Sequence, residues 1–497
     1  MSSAEQLPCI IQGGMGVGVS NWHLARAVAQ AGGLGVVAGT ALDTVLVRRL
    51  QLGDPGGDVR RALEAFPFRS LARRIEREYF VSGGIPARRP FRLISLPNTR
   101  MRLQREALFV AAAFVEVFLA KEGHAGVVGI NLLEKIQVPT LPSLFGAMLA
   151  GVDVVLMGAG IPHAIPGVLD AFSRLEAAEI KLLVENNPER LSFTSRFEPA
   201  AFLAGCRAEE GESSEGDAAK SEREIRSLKR PAFLAIISSH ILAKTLHKKA
   251  SGRVDGFVVE SHVAGGHNAP PRKKGTGTSA DYGEADRAEL GVLREIGLPF
   301  WLAGGQAAKG SLAEAQARGA RGIQVGTVFA YCNESGIRQD IKQQLFEGLR
   351  RGTPRVETDF EASPTGYPFK LILDADRPEE LPQLRARDRV CDLGYLRQAF
   401  IDERGKLAFR CPGEPEEAYL AKGGKLEDTR HKVCLCNGLL ATVGLGQRRE
   451  PEDELPVRTA GEGIQEILTF LGSEKDCYSA SDVLEWLSGS TLVSAAE

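Results

Sequence analysis

Eight short apolar runs constrain this chain more than any other feature. They are Leu7–Gln12, Leu34–Ala38, Val127–Leu132, Val152–Met157, Phe233–Ser238, Val254–Glu260, Phe300–Ala303 and Gly322–Val325. Each is nearly continuous in apolar residues rather than alternating, and helical patterns recur between them. Strands that read this way are buried on both faces, as in a parallel sheet covered by helices. Eight strand–helix units predict an α/β fold of the (β/α)8 barrel type. Ile180–Val184 is a ninth candidate strand, one more than a barrel uses, and is assigned to an insertion. Helix ends are predicted from capping residues. Ser20 would cap a helix over 21–31 that ends at Gly32, and Ser239 would cap Ile241–Lys249. Ser311 and Glu314 have capping-box spacing before Leu312–Arg318. Leu290, Leu293 and Ile296 mark one helix face.

The barrel is expected over 1–334, with insertions at about 40–126 and 180–231. A mixed C-terminal region is expected over 335–497. Residues 40–126 are rich in arginine, from Arg48 to Arg105. Solvated helix faces are the favoured reading there, ahead of a lid or a partner surface. Residues 206–230 read as a mobile loop. The net charge of −2 across 497 residues gives no argument for nucleic-acid binding. The run Ala107–Ala120 is broken by Glu116 and is too short to span a bilayer, so it reads as a buried helix. The first residues show no signal-peptide pattern, and the 8 cysteines read as reduced thiols, so a cytoplasmic location is expected.

Chemistry concentrates at the ends of the runs. Ala303-Gly304-Gly305 and Val325-Gly326-Thr327 end what would be neighbouring strands. Glycines there let backbone N–H groups approach a phosphate, and the Thr327 hydroxyl can donate to it. At the first run, Gln12-Gly13-Gly14-Met15-Gly16 suits a flat ring: small residues allow close approach and Met15 offers a polarisable contact. Asn131 can hydrogen-bond a pyrimidine-like edge. The sixth run passes through Glu260 into Ser261-His262-Val263-Ala264-Gly265-Gly266-His267, which places an acid–base side chain beside such a ring. His262 reads as a core or rim residue. Gly158-Ala-Gly160 lacks the third glycine of a dinucleotide fingerprint. Cys391, Cys411, Cys434 and Cys436 lack the usual metal-knuckle spacing, so buried thiols are favoured and no metal is expected. Ser481–Leu487 reads as an amphipathic helix with Trp486 as packing.

Taken together, Pro8–Met15, Ala31–Gly35, Gly129–Leu132, Ala264–His267, Ala303–Gly305 and Gln324–Thr327 resemble the nitronate monooxygenase family, formerly called 2-nitropropane dioxygenases. The resemblance covers about residues 7–333. It implies a barrel that binds FMN non-covalently and oxidises nitronates or nitroalkanes with O2. His267 matches the family's catalytic histidine. Gly14, Met15 and Gly16 match the loop along the isoalloxazine, and Gly304, Gly305, Gly326 and Thr327 match the phosphate site. Asn131, Glu260, Gly265 and Gly266 fall at cofactor-contacting positions. The family usually reads Glu-Ala-Gly-Gly-His, and His262-Val263 depart from that pattern. The family borders on FMN-dependent enoyl-acyl carrier protein reductases. An NAD(P)H-dependent reductase of enoyl thioesters, served by an acyl carrier protein, is therefore the alternative. A non-catalytic flavin-binding scaffold is the third reading. The expected partner is a small-molecule substrate, with no nucleic acid and no membrane.

Overall fold

The computed structural model describes residues 6–210, 228–272, 282–450, 452–472 and 476–489. Four barrel strands come first: β1 (Ile10–Gln12), β2 (Gly35–Ala38), β3 (Val128–Leu133) and β4 (Val154–Gly158). Three short strands then lie outside the barrel: β5 (Ala178–Lys181), β6 (Val184–Glu185) and β7 (Thr194–Phe197). The barrel resumes with β8 (Ala232–Ile237), β9 (Gly256–Glu260), β10 (Phe300–Ala303) and β11 (Gly322–Val325). The parallel order is β1-β11-β10-β9-β8-β4-β3-β2. Gln12 N donates to Leu34 O at 3.0 Å and Leu34 N to Ile10 O at 2.9 Å, which closes the ring. The (β/α)8 barrel and its eight runs are as expected. The ninth candidate, Ile180–Val184, falls across β5 and β6, outside the barrel.

Successive side chains of a strand face opposite sides. Ile11, Val36, Leu156, Leu234, Val258 and Trp301 pack together inside the barrel. Val37, Ile130, Val155, Phe257, Val259 and Ile323 belong to the cluster shared with the surrounding helices. This parity carries Asn131, Glu260 and Gln324 inward where their strands end. Trp301 is fully buried, and its indole N–H donates to Pro8 O at 3.0 Å.

Two helix caps differ from expectation. The helix Trp22–Gln30 is capped by Asn21, whose side chain accepts from Leu24 N at 2.9 Å. Ser20 is used elsewhere, in the loop after β1. The helix Ser311–Ala317 starts one residue early, because Gly310 turns the chain at φ 89°, and no side chain caps it. Ser239 does cap His240–Lys249, and Leu290–Ile296 is helical.

The first insertion is helical at Leu42–Gln51, Asp58–Ala65, Arg69–Tyr79 and Leu103–Lys121. Leu103–Lys121 is buried from Ala107 to Val117 without a break. Glu116 interrupts that run for a reason: it accepts from Trp22 N at 2.8 Å and from Arg49 at 2.6 Å. It thereby satisfies an orphan N–H at the start of the first barrel helix. No helix among the described residues is long and apolar enough to cross a membrane. The arginines divide. Arg61 and Arg92 form exposed ion pairs, whereas Arg48 and Arg105 are packed inside, Arg48 on Leu445 O and Arg105 on Asp43 at 2.7 Å. Solvated faces therefore account for only part of the set. Of the segment read as a mobile loop, 206–210 belong to the helix Pro199–Glu210, and 211–227 lie outside the described residues.

The C-terminal region covers the barrel mouth. Antiparallel strands β12 (Pro354–Asp359) and β13 (Phe369–Asp374) pair, and β14 (Gln398–Ile401) lies between β15 (Leu407–Arg410) and β6. The start of β13 grips the loop after β9. Lys370 N donates to Gly266 O at 2.9 Å, and Asn268 N donates to Pro368 O at 2.9 Å. The last described helix, Ala480–Ser488, has a Ser479–Asp482 capping box, and the Trp486 indole donates to Ala307 O at 3.1 Å.

Candidate active site

A cavity of about 280 Å³ opens where the barrel strands end. Gly14, Met15, Gly16, Asn131, Glu260, Gly265, Gly266, His267, Gly304, Gly305, Gly326 and Thr327 all line it. Residues spread over more than 300 positions of sequence thus meet around one space, because each lies on or just after the end of a barrel strand. His262 does not line this cavity. It stacks on Tyr282 at 4.5 Å beside a smaller one, in agreement with a rim position.

The loop after β1 is held from within. Ser20 Oγ donates to Gly13 O at 3.0 Å and accepts from Met15 N at 2.8 Å and Gln12 Nε2 at 2.8 Å. Gln12 in turn accepts from Val36 N at 2.8 Å, which fastens the loop to β2. Removing the Ser20 hydroxyl would leave several buried groups without a partner, at a cost of about 1–3 kcal/mol. Ser20→Ala is therefore expected to weaken flavin retention about fivefold or more, as measured by flavin released on dilution and gel filtration. Unchanged retention would show that the loop holds its shape without Ser20.

The opposite wall is built by residues that sequence reasoning missed. Gly461 N donates to Thr327 Oγ1 at 2.8 Å, so the Thr327 oxygen acts as acceptor here and its hydroxyl proton is left to donate. A Cβ on Gly265 would lie 2.8 Å from the Ala460 carbonyl carbon, so glycine is required for this close approach. Phe369, Tyr395, Leu396, Leu435, Leu439 and Val457 supply an apolar wall. Gln324 was also missed as a site residue. The signals for it were its place in the Gln324–Thr327 motif and inward parity at the end of β11.

His267 Nε2 lies 2.7 Å from Ser363 Oγ, and its ring meets Phe369 edge-on at 4.9 Å. Burial lowers its pKa to about 4, so the imidazole is neutral at physiological pH. Burial acts the other way on Glu260 and raises its carboxyl to about 7. The cavity thus holds a neutral imidazole and a carboxyl group that is half protonated near neutrality. One cause, burial, thus favours the neutral form of both groups.

The residues present fit a flavin. Asn131 Oδ1 and Gln324 Oε1 are buried acceptors with no partner, and both residues line the cavity. Asn131 Nδ2 donates to Gly14 O at 2.8 Å, which leaves the oxygen for a ring N–H. The backbone at Gly304 and Gly305 has φ of 87° and 66°, a left-handed turn suited to exposing N–H groups.

Barrel, glycine-lined floor and histidine define the class: a flavin-dependent oxidoreductase. The family model described as nitronate monooxygenase matches residues 212–363, which include the Gly-Gly-His turn and both glycine-rich strand ends, and this bears out the resemblance. No curated protein sequence matches the chain. Among solved structures, the chain is similar to FabK from Thermotoga maritima at 14% identity, covering 98% of this chain and 93% of that one with a TM-score of 0.46. It is also similar to nitroalkane oxidase from Streptomyces ansochromogenes at 16% identity, 97% and 95% coverage and a TM-score of 0.43. The enoyl reductase domain of MlnA from Bacillus amyloliquefaciens gives 12% identity, 97% and 94% coverage and a TM-score of 0.45.

Proposed function

We propose that the chain is an FMN-dependent nitronate monooxygenase that oxidises nitronates, and the nitroalkanes in equilibrium with them, with O2. The observation that carries this reading is His267, a neutral imidazole held by Ser363 at the cavity wall within the stretch that matches the family model. Gly14–Gly16, Asn131 and Gln324 would hold the isoalloxazine, and Gly304, Gly305, Gly326 and Thr327 the phosphate. Bound FMN would supply the electron acceptor and the site of oxygen reduction. The chain's residues place the substrate. The wall of Phe369, Leu396, Leu435 and Leu439 excludes water and takes an apolar substituent. A base lowered to about 4 is poorly matched to strip a proton from a nitroalkane. It is well suited to orient a nitronate that is already ionised.

The pH dependence follows. His267 titrates in the fold near 4 and unfolded near its model value of 6.5, so it stays neutral, and the folded state loses stability only as pH falls through that window. Glu260 is raised, so the folded state favours its neutral form, and that contribution is lost as pH rises from the model value of 4.5 through about 7. An ionised Glu260 would repel an anionic nitronate. Activity on nitronate is expected to show no acid limb near 6.5 and to fall above about 7. Glu260→Gln is expected to remove the alkaline fall. A profile unchanged by that substitution would assign the fall to another group.

A second reading, reduction of an enoyl thioester with NAD(P)H as donor, is favoured by one feature. A further cavity of about 250 Å³, lined by Lys135, Gln137, Leu183, Arg397 and Phe409, shares Tyr395 and Leu396 with the first. It offers room for a long acyl or carrier arm. Stopped-flow reduction of the bound flavin separates the two. Bleaching by nitronate and not by NADH or NADPH supports the monooxygenase. Rapid bleaching by a nicotinamide supports the reductase and overturns the first reading.

A further inference from the structure

The hydrogen bond between His267 and Ser363 continues beyond Ser363. Ser363 Oγ lies 2.7 Å from His267 Nε2 and 2.8 Å from Thr365 Oγ1. His267 lines the main cavity, and Thr365 lines the second one with Lys135 and Gln137. Ser363 is fully buried and lines neither. Three polar side chains in a row therefore link the two spaces.

Two backbone contacts fix how protons are shared along this row. Ser363 Oγ accepts from Thr365 N at 3.2 Å, and Thr365 Oγ1 accepts from Tyr367 N at 3.3 Å. A hydroxyl has one proton and two acceptor lone pairs, so each oxygen has one lone pair already taken. Two arrangements then satisfy every contact. In the outward one, His267 Nε2–H donates to Ser363 and Ser363 donates to Thr365. The Thr365 proton is then left for an acceptor in the second cavity. In the inward one, Thr365 donates to Ser363 and Ser363 donates to an unprotonated Nε2, so the imidazole proton sits on Nδ1. The heavy atoms are the same in both. Among the described residues, His267 Nδ1 makes no hydrogen bond and is left for a substrate in the main cavity.

We propose that Ser363 and Thr365 form a proton relay through which His267 deprotonates a neutral nitroalkane. The α-proton passes from the substrate carbon to Nδ1. In step, the Nε2 proton passes to Ser363 Oγ, the Ser363 proton to Thr365 Oγ1, and the Thr365 proton to solvent in the second cavity. The carbon keeps its electron pair as the nitronate, and the outward arrangement has become the inward one. The imidazole exchanges one neutral tautomer for the other and is never charged. An isolated buried imidazole is a poor base because burial disfavours its cation, and the relay removes that obstacle. Exchange with solvent in the emptied main cavity resets the ring. The inference rests on the nitronate reading and widens its substrates to nitroalkanes taken up directly.

The test uses the full chain and Thr365→Val, which keeps the side-chain shape and removes the last hydroxyl of the row. The Ser363 proton then has no partner in the row but Nε2, which fixes the ring proton on Nδ1. Turnover of nitroethane is expected to fall about tenfold or more. Turnover of preformed ethylnitronate is expected to fall far less, because that substrate has no α-proton to give up. Thr365→Ser is expected to restore nitroethane turnover. Nitrogen NMR of the histidine-labelled chain without substrate reads the tautomer itself. The Nε2–H form is expected in the unaltered chain and the Nδ1–H form in Thr365→Val. Thr365→Ala removes the same hydroxyl and serves if the valine variant does not fold. Equal losses on both substrates would make the hydroxyls a mere support for the ring and overturn the relay. So would a tautomer that Thr365→Val leaves unchanged, or an unaltered chain active on nitronate and inert to nitroethane. A chain inert to both substrates whose tautomer still switches would sink the nitronate reading and leave the row of proton carriers standing.

Discussion

Alanine at position 267 is expected to leave FMN bound and to lower turnover of nitronate about 100-fold or more. The imidazole is tied to Ser363 and Phe369, which belong to the C-terminal wall, and not to the glycine turns at the phosphate end of the cavity. Its loss removes one hydrogen-bonding group at the substrate and leaves the cradle intact. Removing one preorganised hydrogen-bond donor aimed at the reacting charge costs about 10²–10³ in rate. Ser363→Ala is expected to have a smaller effect, about tenfold, because the ring keeps its contact with Phe369 and loses only its orienting bond. Flavin content from the visible spectrum and steady-state rates from oxygen consumption measure both. A His267→Ala protein with full flavin and full turnover would remove His267 from the chemistry. One that lost its flavin would place the residue in the cradle instead.

The barrel was legible because parallel strands buried on both faces leave uninterrupted apolar runs, and eight of them admit few arrangements. The floor of the site was legible for a related reason. Glycines at strand ends mark places where backbone must approach something closely, and Gly304, Gly305 and Gly326 stand there. The far wall was not legible. Ser363, Phe369, Tyr395 and Gly461 come from a region with no periodic signal, and they reach the site through pairing with Gly266 and Thr327 that no local pattern encodes. Ser20 was misread because Ser and Asn are both good caps and stand side by side. The fold gave the cap to Asn21 and used Ser20 to fix the loop.

Gly14→Ala tests the cradle itself and is expected to yield protein largely without flavin. A Cβ at this position would lie 2.3 Å from Asn131 Cβ, a separation that real side chains do not adopt. Neither partner can yield easily. The Gly14 carbonyl is held by Asn131 Nδ2 at 2.8 Å, and the loop on its other side is fastened through Ser20 to Gln12 and β2. Asn131 sits within β3, whose backbone is paired on both sides by β2 and β4. The strain must therefore displace the Asn131 side chain or the loop, and either movement disrupts the surface proposed for the ring. Overpacking of this kind costs about 1–3 kcal/mol, which converts to about tenfold to a hundredfold weaker flavin binding. Thermal unfolding with and without added FMN separates the two places where the cost could fall. A protein that unfolds at the ordinary temperature but gains little from FMN has lost the cradle, as expected. A protein destabilised equally with and without FMN would mean that Gly14 serves the barrel and not the ring.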